Sequence, residues 1–246
     1  MTSRGTLTWL GHSCATVSLD GLVVITDPAL RERIIHLRRA GPVDGALLDG
    51  VDVILVSHVH YDHLDLPSLD RLDRGAQVLV PTGAGGLLRR RGFRFVREVV
   101  PGDEVDLGSL TVRVTHAEHA SARRLGTAKT LPVGYVIAGT RSVYFAGDTD
   151  LFGAMDSLGA VDVALLPVAG WGPRLPAGHL DPARAAQALA LIRPRIAIPI
   201  HWGTYAPWRR PAGLDTPARE FAQIATTVAP EVDVRVLRPG QSCVLD

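Results

Sequence analysis

Cysteine is nearly absent: Cys14 and Cys243 stand alone, near opposite ends of 246 residues. Two thiols so placed exclude a secreted disulfide framework and any zinc site built on cysteine, so a bound metal would rest on histidine and aspartate. An excess of charge is missing too. With 26 lysines and arginines against 25 aspartates and glutamates the net charge is +1, too little for the basic field that non-specific nucleic-acid binding uses. No stretch reaches the roughly 18 to 20 apolar residues that span a bilayer. No apolar signal-peptide core follows Arg4 in "MTSRGTLTWLGHSC". These absences predict a cytoplasmic protein without a transmembrane segment, acting on a small molecule rather than on nucleic acid. What is present is ordinary for a globular chain, 46% hydrophobic and 21% charged. No linker-like boundary interrupts it, which predicts one domain over residues 1–246.

Short apolar runs bounded by turn residues recur throughout: "TLTWL", "LVVIT", "DVILVS", "QVLVP", "LTVRVT", "GYVIAG", "SVYFAG", "DVALLPV", "RIAIPI" and "DVRVL". Each reads as a strand. Several are apolar on both faces, as in sheets covered on both sides, whereas "LTVRVT" and "TLTWL" alternate like half-exposed strands. Asp181 before Pro182, and Thr216 before Pro217, read as N-caps with proline opening a helix. Shorter helices are expected in "LPSLDRL" and "GAGGLLRRR". Strands followed by a helix occur in both halves, as in a fold made of two similar α/β units with mixed sheets.

The chemistry sits where these strands end. "DVILVS" runs into His58, "LTVRVT" into His116 and His119, "SVYFAG" into Asp148 and "RIAIPI" into His201, while "TLTWLG" reaches His12 and "LVVIT" reaches Asp27. Rigid strands position the loops beyond their carboxyl ends, so these side chains are expected to converge. Within "SHVHYDHLD", His58 and His60 are two apart and project to one side of an extended segment, where both reach one ion. Asp62 and His63, adjacent on the following turn, reach a second. Imidazole and carboxylate are zinc donors, and paired metals are a recurring hydrolytic device.

On these residues the sequence resembles the metallo-β-lactamase superfamily, whose HxHxDH signature is matched by His58, His60, Asp62 and His63. The resemblance covers nearly the whole chain. It implies a four-layer αββα sandwich, two mixed β-sheets flanked by helices, with the site at the sheet edge. Carried over by position, His58, His60 and His119 would hold a first metal, Asp62, His63 and His201 a second, and Asp148 would bridge them. Asp27 would orient a ligand rather than bind metal. The phrases "TWLGHS", "ITDP", "SHVHYDHLD", "FAGDTD", "GHLDPARAA" and "IPIHWGT" look most like the N-acyl-phosphatidylethanolamine phospholipase D group, and several are shared with ascorbate-6-phosphate lactonase-like hydrolases.

The resemblance implies a hydrolase with two divalent cations, zinc by preference although manganese or iron suits the same donors. A bridging hydroxide would be the nucleophile, with Asp62 and Asp148 holding the ions and orienting it. The expected substrate is a phosphodiester, with a lactone as the alternative. Rival readings are a di-iron redox branch, which typically has Glu where this chain has His60, a nucleic-acid-processing branch with an inserted domain, and a metal-binding scaffold or sensor without turnover. His116 competes with His119 for its place, and the related pattern favours His119. His179, in a loop with Trp171 and Arg174 before a capped helix, is expected to face the substrate or to donate a proton, which a metal-bound water could also supply. His12 is either a packing residue or part of the pocket. Basic runs at 31–39 and 89–97 read mainly as solvated faces, whereas Arg123, Arg124 and Lys129 stand near enough to His119 to meet an anionic substrate. Residues 28–47 form a plausible lid, with Ile34, Ile35, Leu37, Leu47 and Leu48 packing on the core or lining an apolar entrance.

Overall fold

Alternation along the strands decides what each side chain is buried against. Val53 and Leu55 join one apolar cluster while Ile54 and Val56 join another, because successive residues of a strand point to opposite faces. A computed structural model describes residues 5–120, 130–170, 175–207 and 213–245. Its first seven-stranded sheet runs in the order Ser242–Val244, Thr6–Gly11, Cys14–Leu19, Leu22–Thr26, Val53–Leu55, Gln77–Pro81 and Phe95–Val99. The second runs Asp233–Val234, Ile196–Ile200, Val163–Pro167, Ser142–Phe145, Val133–Ala138, Thr111–His116 and Glu104–Asp106. Each sheet joins an antiparallel part to a parallel part, the two-unit pattern expected from the sequence.

The main cluster links Trp9, Val17, Val24, Leu55 and Leu79 of the first sheet to Val112, Tyr135, Ile137 and Phe145 of the second. It continues to Ala185 and Leu189 of helix Pro182–Ile192 and Phe221 of helix Thr216–Val228. The other face of the first sheet is covered by Leu69 of helix Leu66–Leu69 and Leu88 of helix Gly85–Arg89. The result is a helix–sheet–sheet–helix sandwich, the architecture that the resemblance implies. No helix among the described residues is long and apolar enough to cross a membrane. Both cysteines are buried and free, and burial pushes the Cys14 thiol up to about 12.

Three expectations need correcting. "TLTWL" is not half-exposed: Thr8 is buried and its hydroxyl meets that of Ser242 at 2.8 Å, because the C-terminal strand pairs along it. "DVRVL" is a strand only at Asp233–Val234. The last long helix is capped by Asp215 instead of Thr216, since a turn in which the Thr216 N–H donates to the Gly213 carbonyl already places Thr216 in the helix. Residues 28–47 contain the hairpin Arg33–Ile34 and Leu37–Arg39, which pairs with Tyr205–Pro207 in a three-stranded sheet. Ala29, Ile34, Leu37 and Tyr205 make its own small core. Leu47 and Leu48 pack on the outer cluster.

Candidate metal centre

Four imidazoles are held so that the same ring atom faces inward. The His58 Nδ1–H donates to Ser57 Oγ (3.0 Å), whose own hydroxyl donates to Asp27 Oδ2 (2.5 Å). The Nδ1–H of His63 donates to Asp27 Oδ2 (2.7 Å), that of His119 to the Gly178 carbonyl (2.8 Å) and that of His201 to the Ala169 carbonyl (2.7 Å). A hydrogen bond at one ring nitrogen fixes the tautomer, so each His presents an Nε2 lone pair to the common space. His60 completes the group: its Nδ1 lies 2.9 Å from His58 Nε2 and 3.2 Å from His119 Nε2.

Among the described residues four groupings bring donor atoms within 4.8 Å of one another: Asp27, His58 and His63; His119, Asp148 and His179; His58, His60 and His119; and His12, Asp62, His63 and His201. The last two, apart from His12, match the division of ligands that the resemblance implies. Asp148 stands between them, its Oδ2 3.1 Å from His63 Nε2 and 3.8 Å from His58 Nε2, its Oδ1 3.4 Å from His201 Nε2. His116 is elsewhere: it is exposed, pairs with Glu118 at 3.1 Å and lies edge-on to Phe152. The strand Thr111–His116 carries it outward, and three further residues bring His119 into the cluster.

The charge balance asks for a cation. Burial alone would raise the carboxyl groups of Asp62 and Asp148, yet facing histidines hold both well below the usual carboxylate range: mainly His63 for Asp62, and His201 then His63 for Asp148. Burial would lower His63, but Asp148 and Asp62 drive it well above its ordinary value. A proton there occupies the place of positive charge between carboxylates. Burial first, then neighbouring imidazoles, pushes His58 well down and His60 to about 4, so both stay neutral, the form that ligates metal. Among the described residues, His63 Nε2, His201 Nε2 and Asp148 Oδ1 are buried without a hydrogen-bond partner. Buried polar atoms left unpaired cost free energy. Here all three are inward-facing donor atoms, which fits a divalent ion.

His12 proves to be structural and local to the site at once. Its backbone is left-handed (φ 57°), its N–H donates to Thr204 Oγ1 (2.6 Å) and its carbonyl accepts from Trp9 Nε1 (2.9 Å) and the His201 N–H (3.0 Å). Burial and His201 lower its pKa to about 3. The neutral ring therefore donates from Nε2 to Asp62 Oδ2 (3.0 Å) and orients that carboxylate. Asp27 does the same for two rings through His63 and Ser57. Ser57 was not anticipated, and its position immediately before His58 was the available signal.

The centre opens into a cavity of about 370 Å3 lined by His60, Asp62, His119, Asp148, His179 and His201, with Ile35, Tyr61, Pro176 and Ala177 on its walls. His179 Nδ1–H donates to the Pro176 carbonyl (3.1 Å) and Nε2 lies 3.4 Å from Asp148 Oδ2. Burial would lower its pKa, but Asp148 raises it. Asp181 is the helix N-cap, accepting from the Arg184 N–H at 2.8 Å. Trp171, Arg174, Arg123, Arg124 and Lys129 lie outside the described residues.

Residues 23–202 match a family model described as the beta-lactamase superfamily domain. A UPF0173 metal-dependent hydrolase of Opitutus terrae is 35% identical over 244 residues, covering 96% of this chain and 98% of its own. A solved structure described as a novel metallo hydrolase from the archaeon Ignicoccus hospitalis is similar at 28% identity and TM-score 0.76, covering 98% of each chain. CmlA, a diiron beta-hydroxylase from Streptomyces venezuelae, has TM-score 0.76 at 19% identity over 99% of this chain and 55% of its own, a likeness of fold alone.

Proposed function

The chain belongs to the metallo-β-lactamase superfamily and is a metal-dependent hydrolase; from that premise we propose that it works with two divalent cations, zinc by preference, on a phosphodiester. In this reading His58, His60 and His119 hold one ion, Asp62, His63 and His201 the other, and Asp148 serves both. The observation that carries it is the trio of buried donor atoms, His63 Nε2, His201 Nε2 and Asp148 Oδ1, which make no hydrogen bond although the two imidazoles face the Asp148 carboxylate at 3.1 and 3.4 Å. When bound, such ions supply Lewis acidity toward a carbonyl or phosphoryl oxygen and lower the pKa of water toward about 7.

The chain's own residues do the rest. Asp27, Ser57, Gly178 and Ala169 hold the imidazole tautomers, and His12 holds Asp62. His179, whose pKa Asp148 raises against the pull of burial and which stands in the cavity wall, is placed to give a proton to the leaving oxygen. The phosphodiester assignment rests on the likeness of "TWLGHS", "ITDP" and "IPIHWGT" to the phospholipase D group. A lactone is the second reading, favoured because no lysine or arginine is among the described residues lining the cavity. Metal-depleted protein reloaded with zinc should bind two ions per chain by elemental analysis and, in a panel of phosphodiesters, lactones and thioesters, hydrolyse the phosphodiesters. A stoichiometry of one at saturating metal, or no turnover of phosphodiesters, would overturn it.

A further inference from the structure

Six described residues other than glycine have positive φ, and three of them, His12, Asp27 and His201, are tied into the metal centre by hydrogen bonds. Ile35 is a fourth, at φ 53°. A β-branched side chain is poorly tolerated in the left-handed region, and such strain persists only where the surroundings enforce it. The enforcement is visible. Ile34 and Leu37 on either side of the hairpin tip are buried against Ala29 and Tyr205, and Leu37–Arg39 is paired to Tyr205–Pro207, just beyond His201. The tip is thus pinned at both ends.

Packing does not explain what is pinned there. Ile35 is 62% exposed and Tyr61 42% exposed, and both line the metal cavity, as Pro176 and Ala177 do. Two of the exposed large side chains among the described residues therefore belong to the wall of that cavity. A strained, solvated isoleucine gains nothing in the free protein. It gains burial when an apolar group enters. Resting on the hydrolase reading above, we infer that Ile35 is a specificity-determining residue, seating with Tyr61 an apolar acyl or alkyl group of the substrate while the reacting bond lies at the metal centre.

The test compares Ile35→Leu, which keeps an apolar side chain, with Ile35→Asn, which is polar, lacks the β-branch and tolerates the left-handed backbone. On zinc-loaded protein, kcat/KM is measured for p-nitrophenyl acetate, butyrate and octanoate, and calorimetry measures binding of the matching alkyl carboxylates. The parent should favour the octanoyl chain. Ile35→Asn should lower the octanoyl-to-acetyl ratio by roughly 10-fold, the scale of one lost apolar contact in a pocket, and Ile35→Leu should restore it. The Tm of Ile35→Asn should be no lower than that of the parent, since strain is relieved and no packing is lost. An unchanged ratio in Ile35→Asn, or a Tm drop of several degrees, would overturn the inference. If no carboxylic ester is turned over, the phosphodiester reading is untouched, and the chain-length dependence of carboxylate binding decides the role of Ile35.

Discussion

At the scale of single residues, the site is built on tautomers. Had the Ala169 carbonyl or Asp27 been turned away, the ring of His201 or His63 could carry its proton on Nε2 and present a donor where an acceptor is needed. His179 differs, since its Nδ1–H is spent on the Pro176 carbonyl and its Nε2 faces Asp148 and the cavity. His179→Ala should keep two metals but lose roughly 10²- to 10⁴-fold in rate on substrates with an alkoxide leaving group, the range for general acid catalysis. The loss should shrink for a nitrophenolate, which needs no proton. Elemental analysis and rates for both leaving groups check this, and an equal loss with both would assign His179 to positioning.

At the scale of elements, strand ends and helix caps do the placing. Helix Pro182–Ile192 starts where Asp181, in extended conformation, accepts from the Arg184 N–H, whereas Asp215 caps Thr216–Val228 without any side-chain bond of that kind. Asp181→Ala should cost about 1 kcal/mol. Asp215→Ala should cost only about 0.3 kcal/mol, from its exposed pair with Arg219. Urea denaturation of the two variants measures the difference. The Asp-Pro and Thr-Pro pairs were equally good cap signals in the sequence, and the turn at Gly213 separates them. The same scale explains the strands. Periodicity shows that "DVILVS" is a strand, but which of its faces meets the second sheet depends on the partner.

At the scale of the whole molecule, the cluster couples stability to pH. In chelator-treated protein, His12 (about 3), His60 (about 4) and His58 are lowered, so the stability they contribute is full above about 6.5 and is lost as pH falls toward those values. Asp62 and Asp148, also lowered, add a further loss in acid. His63 and His179 are raised, so their contribution is full below about 6.5 and is lost as pH rises through their folded values. The metal-free Tm should therefore peak near neutrality and fall on both sides. Bound zinc should raise Tm and flatten the alkaline side, because the cation replaces the His63 proton. Thermal melts from pH 4 to 9, with and without zinc, test this. A metal-free curve that rises monotonically toward pH 9 would contradict it.

The sequence by itself determined the strands, the helix with its Asp181 cap and the segment His58, His60, Asp62 and His63, because periodicity, caps and short spacings depend only on residues close along the chain. It also placed ligand-type residues after strands. The tertiary structure brought His119, which the related pattern already favoured, into the cluster and left His116 outside it, gave His12 its role and placed Ile35 at the cavity. Each of those outcomes is a contact between distant positions: His12 meets Asp62 50 residues away and Thr204 192 residues away, and the hairpin carrying Ile35 is held by the strand at Tyr205. Local pattern carries no information about which distant backbone will close over a residue, and it is that closure that turns a histidine into a ligand, a brace or a surface group.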